Sequence, residues 1–482
     1  MGLGGDKVSN LEKLKAEITN GNFEGYIDIS DYLMYLGYSE HYNDDALTAK
    51  AYAIASVFQT HEKHLYDNDL VAGSIHGRYA HKDGFIHTEL EHSRRVVDNY
   101  GRNTFRTNVD HYAADFETAL KIGIGGMIQK IEKSIAAHSS DGDSEKKITF
   151  LNSALITMKA FSNMILQYGE EAQAKSEILQ GEQKTNLQEI ARICKKLSVY
   201  KPDTFHEALQ LVWLIHTAFL YEKRFAMALG RLDQYLYPFY LEDTSKGILT
   251  RERATQLIEC TLYKIVETKR FNEHLMNLGA DDVVNIAIGG VKRDGTDATN
   301  ELSYIILEAV KNCNIPGPNL SARMHKDTPE EFWDKCLNVI GTGLGYPALM
   351  NDEINIPALA RYGYDIEDCR DYCMVGCIEN FIPGKQPPWS DGRYNSPKYL
   401  ELALNNGKCM QTGAQLGPKT GNVSSFKNMN DYLAAVRKQM EFGAAEYVAL
   451  FRNDNDRYDR QIYSQPFLSC FCHDCIERGL DI

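Results

Sequence analysis

What this 482-residue chain lacks narrows its function before any motif is read. Basic charge is short relative to acid: 52 Lys and Arg stand against 66 Asp and Glu, a formal net charge of −14. A surface of that sign argues against nucleic acid or an anionic membrane as the main partner. No stretch approaches the roughly 18 consecutive apolar residues of a membrane span. The start, Met1-Gly2-Leu3-Gly4-Gly5-Asp6-Lys7, has neither the basic run nor the apolar core of a signal peptide, so a cytoplasmic location is expected. A Gly-x4-Gly-Lys-Ser/Thr phosphate loop, a Gly-x-Gly-x-x-Gly after a strand and a His-Glu-x-x-His pair are all missing, which removes motif support for nucleotide binding and zincin chemistry. No internal repeat or low-complexity linker divides the chain, so residues 1–482 read as one continuous domain.

What is present is ordinary globular material, 43% hydrophobic and 24% charged, which excludes wholesale disorder. Cysteine is plentiful. The eleven are Cys194, Cys260, Cys313, Cys336, Cys369, Cys373, Cys377, Cys409, Cys470, Cys472 and Cys475. An odd number in a long chain points to thiols in a reducing compartment rather than to a disulfide scaffold.

The first two hundred residues read mainly as helices. Apolar positions recur at helical spacing over 45–64, 111–135 and 150–168, and 171–197 reads as one charged, Gln-rich helix. The polar run Ser139–Ser144 reads as a loop. Thr204 is an N-cap candidate for a helix over 204–221, apolar on one side through Leu209, Val212, Trp213 and Ile215. Beyond it, short β-rich runs alternate with helices. The runs are 283–290, 319–323, 346–350 and 373–379; the helices are 250–269, 297–312, 328–340 and one near 365–372. That alternation predicts parallel βαβ units in a barrel or open sheet.

Gly376-Cys377-Ile378-Glu379 is the sharpest chemical signal. Parallel α/β folds place reactive groups at the C-terminal ends of strands, and a thiol two residues before a carboxylate can share one small cavity with it. The thiol could act as nucleophile, ligand or hydrogen-atom carrier, and the carboxylate as acid or base. A buried structural cysteine beside a solvated glutamate is the other reading, and the pattern alone leans that way. Cys369, Cys373 and Cys377 fall four apart, yet Gly376 and the β-rich Met374-Val375 argue against one helical face of thiols. Cys470, Cys472 and Cys475, with His473, approach zinc-ligand spacing but lack a second pair; incidental thiols are the preferred reading. His216, on an apolar helix face, reads as a core histidine.

At Gly376–Glu379 the chain resembles the glycyl radical enzymes of the pyruvate formate-lyase-like superfamily. Similar stretches follow in the family's order: Asp69–Gly73, Phe205–Gln210, Gly230–Pro238, Asn285–Gly290 with Asp297–Leu302, Pro318–Ser321 and Cys475–Gly479. The resemblance implies an α/β barrel of two parallel half-barrels surrounded by helices. Residues 1–200 would form a mostly helical part, and 201–482 the barrel part with a Cys377 finger loop. It implies anaerobic radical chemistry in which Cys377 becomes a thiyl radical and Glu379 acts as general base. A radical S-adenosylmethionine activating enzyme is the implied partner, and a homodimer is compatible with it. Gly-Cys-x-Glu is similar to the eliminating members, the dehydratases and C–N or C–S lyases. His111 and Asp391 match substrate-site positions of the diol dehydratases. Phe225 and Ala226 stand where those enzymes carry His-Ser, which implies a larger or less hydroxylated substrate.

The family's Arg-Val-x-Gly-aromatic radical motif is missing, and the sequence stops at Asp481-Ile482. The expectation is therefore a chain that lacks the glycyl radical region, inert alone, with the radical supplied by a further region or a separate chain. No metal is expected. The activity implied is a radical lyase or dehydratase cleaving a C–O bond of a small molecule. C–S or C–N cleavage, a non-catalytic binding homologue and a thiolate metal protein are the alternatives.

Overall fold

The structure, a computed structural model, describes residues 9–85, 87–101, 111–139, 144–271, 284–387, 394–455 and 464–482. The backbone gathers into two compact units, Met1–Trp389 with Tyr463–Ile482, and Ser390–Ile462.

The first part of the larger unit is helical. Helices Asn10–Asn20, Ser30–His41, Ala46–Thr60, His87–Gly101, Phe116–His138, Ser144–Ile178 and Gly181–Leu197 follow one another, with one short strand pair among them. Their starts are chemically marked. Ser9 and Glu12 form a reciprocal capping box, and Asp45 accepts from the Leu47 and Thr48 amides. The single helix expected over 171–197 is instead the end of one helix and the whole of another. The chain breaks at Leu179-Gln180, where Gln180 is extended and Gly181 takes φ +59°. No proline marks the break, so periodicity ran through it.

Helix Phe205–Tyr221, capped by Thr204, is the core around which the rest packs. Every residue from Glu207 to Tyr221 is buried, so it is enclosed all round rather than on the one side its apolar pattern suggests. Two of its polar members are satisfied from other segments. Glu207 takes Lys196 at 2.5 Å and Arg192 at 3.0 Å, and Gln210 bonds both the amide and the carbonyl of Ala72.

Strands β1 (Tyr26–Asp28) and β2 (Tyr79–His81) pair antiparallel. Strands β3 (Asn285–Gly289), β4 (Asn319–Met324) and β5 (Ala348–Asn351) form the expected parallel sheet, with helices Glu301–Cys313 and Glu330–Val339 as crossovers. Parallel bridges Gly230 to Ile286 and Ala113 to Ala228 continue the array beyond β3. The fold is α/β. The fourth β-rich run departs from the expectation: β6 (Cys373–Val375) and β7 (Glu379–Phe381) form an antiparallel hairpin, with Val375 opposite Glu379.

Buried charge fixes the C-terminal end of the sheet. Arg323, wholly buried, bonds Asp352 at 2.9 and 2.8 Å and donates to the carbonyls of Tyr372 and Arg370. The Tyr372 hydroxyl donates to the same Asp352 at 2.7 Å. Each polar atom has a partner, which is the condition for a tolerable buried ion pair. The smaller unit has its own apolar centre at Ala403, Ala435 and Val436. Among the described residues no helix is long and apolar enough to cross a membrane.

Candidate functional site

The β6–β7 hairpin runs along the sheet from one end to the other. Its base, at Tyr372, is held by Arg323 near the C-terminal end of β4. Its tip, Gly376-Cys377-Ile378, is held at the opposite end. Asn285, first residue of β3, donates from Nδ2 to the Cys377 carbonyl at 3.3 Å, and Asn319, first residue of β4, to the Gly376 carbonyl at 3.2 Å. The reactive tip therefore meets the N-terminal ends of these strands. That corrects the expectation of a thiol at their C-terminal ends, because the hairpin turns antiparallel instead of adding a fourth parallel strand. Both asparagines were missed as functional residues. Their signal is positional: they open adjacent strands and sit opposite each other in register.

Gly376 has φ +53°, a conformation that favours glycine. The space around it demands glycine as well. A Cβ there would lie 2.2 Å from His111 Cδ2, 2.6 Å from His111 Nε2 and 2.9 Å from Glu379 Oε2. An imidazole and a carboxylate thus converge on the residue before Cys377, from positions that are 265 and 3 residues away in sequence. Glu379 Oε2 also accepts from the Ile378 amide at 3.0 Å, which turns its carboxylate back towards the tip. Cys377 and Ile378 are exposed, whereas Cys369 and Cys373 are buried. Burial and the nearby Asp371 push the Cys373 thiol far up, so it stays protonated and is a poor nucleophile.

The strip carrying Phe225 and Ala226 holds the tip by its backbone. Ala226, at φ +58°, accepts from the Gly376 amide at 3.3 Å, and Phe225 accepts from the His111 amide at 3.3 Å. Phe225 keeps 38% of its surface, whereas the Ala226 side chain is fully buried. The structure thus brings together Cys377, Glu379, His111, Phe225 and Ala226. Asp391 lies outside the described residues.

Cysteines Cys470, Cys472 and Cys475 do not form a three-thiol ligand set. Cys470 Sγ donates to the Pro466 carbonyl at 3.2 Å, and the three sulfurs do not fall together as one ligand group. Among the described residues the one grouping of three metal-competent side chains is Glu62, His64 and His76. The two imidazoles there are stacked 4.1 Å apart and 16° from parallel, so no ion could lie in both ring planes.

Residues 78–482 match the family described as pyruvate formate lyase-like. The chain is 31% identical over 414 residues to (2S)-3-sulfopropanediol dehydratase of Klebsiella oxytoca, covering 83% of this chain and 50% of the relative. It is 32% identical over 353 residues to trans-4-hydroxy-L-proline dehydratase of Clostridioides difficile, covering 71% and 44%. A solved structure concerned with 1,2-propanediol dehydration in Roseburia inulinivorans superposes with a TM-score of 0.89 at 26% identity, over 98% of this chain and 67% of that one. The chain spans about half the length of the curated relatives it matches.

Proposed function

Because the chain belongs to the pyruvate formate lyase-like family, we propose that it carries the thiol and base of a radical lyase that cleaves a C–O bond in a small hydroxylated substrate. One observation supports this reading above the rest: His111 and Glu379 converge on Gly376, beside an exposed Cys377 at a hairpin tip. An exposed thiol one residue beyond the glycine on which a carboxylate and an imidazole converge fits as the hydrogen-atom donor to a glycyl radical. That radical would be generated by a radical S-adenosylmethionine activating enzyme and would supply one-electron oxidation of the Cys377 thiol.

This chain's residues then have separate tasks. Cys377, having given up its hydrogen atom, removes one from the substrate carbon that bears a hydroxyl. Glu379 takes the proton of that hydroxyl, which raises electron density on the carbon and helps expel the group on its neighbour. His111 orients the leaving hydroxyl and gives it the proton with which it departs as water. Asp391 would bind a substrate hydroxyl. Phe225 offers an apolar wall where a polyol would need hydrogen bonds, so a substrate with one apolar or bulky end is favoured.

The test uses the complete, activated protein under anaerobic conditions with a panel of 1,2-diols and hydroxylated sulfonates. Carbonyl product marks C–O cleavage, and sulfite release marks the C–S alternative. Cys377→Ala is expected to abolish turnover while the glycyl radical signal persists in the electron paramagnetic resonance spectrum; retained turnover would overturn the assignment. Glu379→Gln is expected to lower kcat by about 10²–10⁴ with little change in KM, the usual contribution of a general base.

A further inference from the structure

The two peptide planes that flank the Cys377 α-carbon are each held by one side-chain amide from the sheet. Asn319 Nδ2 donates to the Gly376 carbonyl, in the plane before Cys377, at 3.2 Å. Asn285 Nδ2 donates to the Cys377 carbonyl, in the plane after it, at 3.3 Å. A peptide unit is planar, so pinning its carbonyl orients the whole plane. With both planes pinned, the backbone angles of Cys377 are set, and with them the direction in which its sulfur leaves the chain.

The clamp is itself anchored. Asn285 and Asn319 lie opposite each other on adjacent parallel strands. The Asn285 carbonyl accepts from the Leu229 amide at 2.9 Å, and the Asn319 amide donates to the Val284 carbonyl at 2.8 Å. The Asn285 side chain is wholly buried, and the Ser321 hydroxyl donates to its Oδ1 at 3.3 Å. That bond leaves the Nδ2 donor for the tip. The plane after Cys377 also reaches the carboxylate, because its N–H, that of Ile378, donates to Glu379 Oε2 at 3.0 Å. A chain of hydrogen bonds thus runs from Ser321 through Asn285 and the 377–378 peptide to Glu379, and bonds in such a chain strengthen one another.

We propose that Asn285 and Asn319 are positioning residues that jointly aim the Cys377 thiol, with Asn285 also steadying the Glu379 carboxylate. Their effect on turnover rests on the radical-lyase reading above. Aspartate has nearly the same shape but no donor, so the clamp requires the amide. Loss of either bond lets one plane rotate, and rotation of either plane moves the sulfur. Misplacement by about 1 Å costs a reacting pair on the order of 10²-fold in rate.

Hydrogen exchange in this chain tests the clamp without turnover. In Asn319→Asp, at a half-buried position, the peptide spanning 374–381 should exchange faster while β3 and helix Phe205–Tyr221 keep their protection. Unchanged exchange at the tip overturns the proposal, and so does faster exchange across the whole sheet, which would make the asparagines general supports. Turnover is read in the complete, activated protein, per glycyl radical spin, on the 1,2-diol or hydroxylated sulfonate that it converts. Asn285→Ala and Asn319→Ala should each lower kcat by about 10–100-fold and leave KM within about twofold. The double variant should fall well short of the product of the two losses, because either one already lets the sulfur move. Losses that multiply would overturn the joint aim. Single variants that keep the wild-type kcat per spin, while Cys377→Ala abolishes turnover, overturn the proposal and leave the radical-lyase reading standing. Turnover retained in Cys377→Ala overturns that reading, and the catalytic half of the proposal with it. The Asn319 variants decide should Asn285→Ala misfold.

Discussion

Three residues with left-handed backbone meet at the hairpin tip: Gly376 at φ +53°, His111 at +57° and Ala226 at +58°. Two of them carry a Cβ and so hold strain, on the order of 1 kcal/mol each. They are locked by the Gly376-to-Ala226 and His111-to-Phe225 backbone bonds and by the His111 ring lying over Gly376. Gly376→Ala adds a third strained residue and drives a methyl into the imidazole. Unfolding free energy should fall by about 1–3 kcal/mol in urea titrations. The His111 contact makes a sharper claim. In a His111→Ala background the two nearest clashes are gone and only the φ cost and the Glu379 contact remain, so the Gly376→Ala penalty should shrink. A double-mutant cycle with additive effects would show that the ring does not press on the glycine. The Gly-Cys-x-Glu pattern was legible in the sequence, whereas the turn at Gly376 was not, because residues 373–379 read as one β-rich run. The partnership with His111 was legible only through resemblance, because no local pattern ties residues 265 apart.

The hairpin is the element that converts this strain into a site, and its base depends on Arg323 and Asp352. Removing one partner of a wholly buried pair leaves the other charge without compensation. Asp352→Ala should therefore destabilise the chain by about 3–5 kcal/mol in denaturant titrations. The same change strips the Tyr372 hydroxyl and the Val291 amide of their acceptor. A penalty below about 1 kcal/mol would mean that the pair is solvated in solution. The parallel strands were legible because the apolar runs are joined by helices of ten or more residues. The direction of the hairpin was not, because a βαβ rhythm had already been established. The cue against it is that only three residues separate Val375 from Glu379, too few for a parallel crossover. Helix Phe205–Tyr221 shows the same limit. Glu207 and Gln210 mark a polar side in sequence, but Lys196, Arg192 and Ala72 close over them, and those partners come from other segments.

At the scale of the whole molecule, the enclosed core makes acid a specific threat through His216. Both ring nitrogens of this residue are buried without a hydrogen-bond partner among the described residues, and the ring packs on Trp213 with centroids 5.2 Å apart. Burial alone pushes its pKa down to about 3. The unfolded chain binds a proton there near pH 6.5 and the folded chain does not until about pH 3, so His216 favours unfolding progressively as pH falls through that window. The slope is about 1.4 kcal/mol per pH unit, or about 3 kcal/mol between pH 6.5 and 4.5. Buried Asp69 and Asp233 oppose it. Burial raises both carboxyl pKa values, so their protonation favours the folded state as pH falls, and the acid limb of the wild type mixes both signs. His216→Leu isolates the histidine, since it keeps the apolar volume and removes the titrating group. The variant should gain on the wild type by about 3 kcal/mol when urea unfolding is compared at pH 7.5 and pH 4.5. A difference that stays constant between those pH values would mean that the histidine is hydrated or charged in the folded chain, and that the centre of the core is open to water.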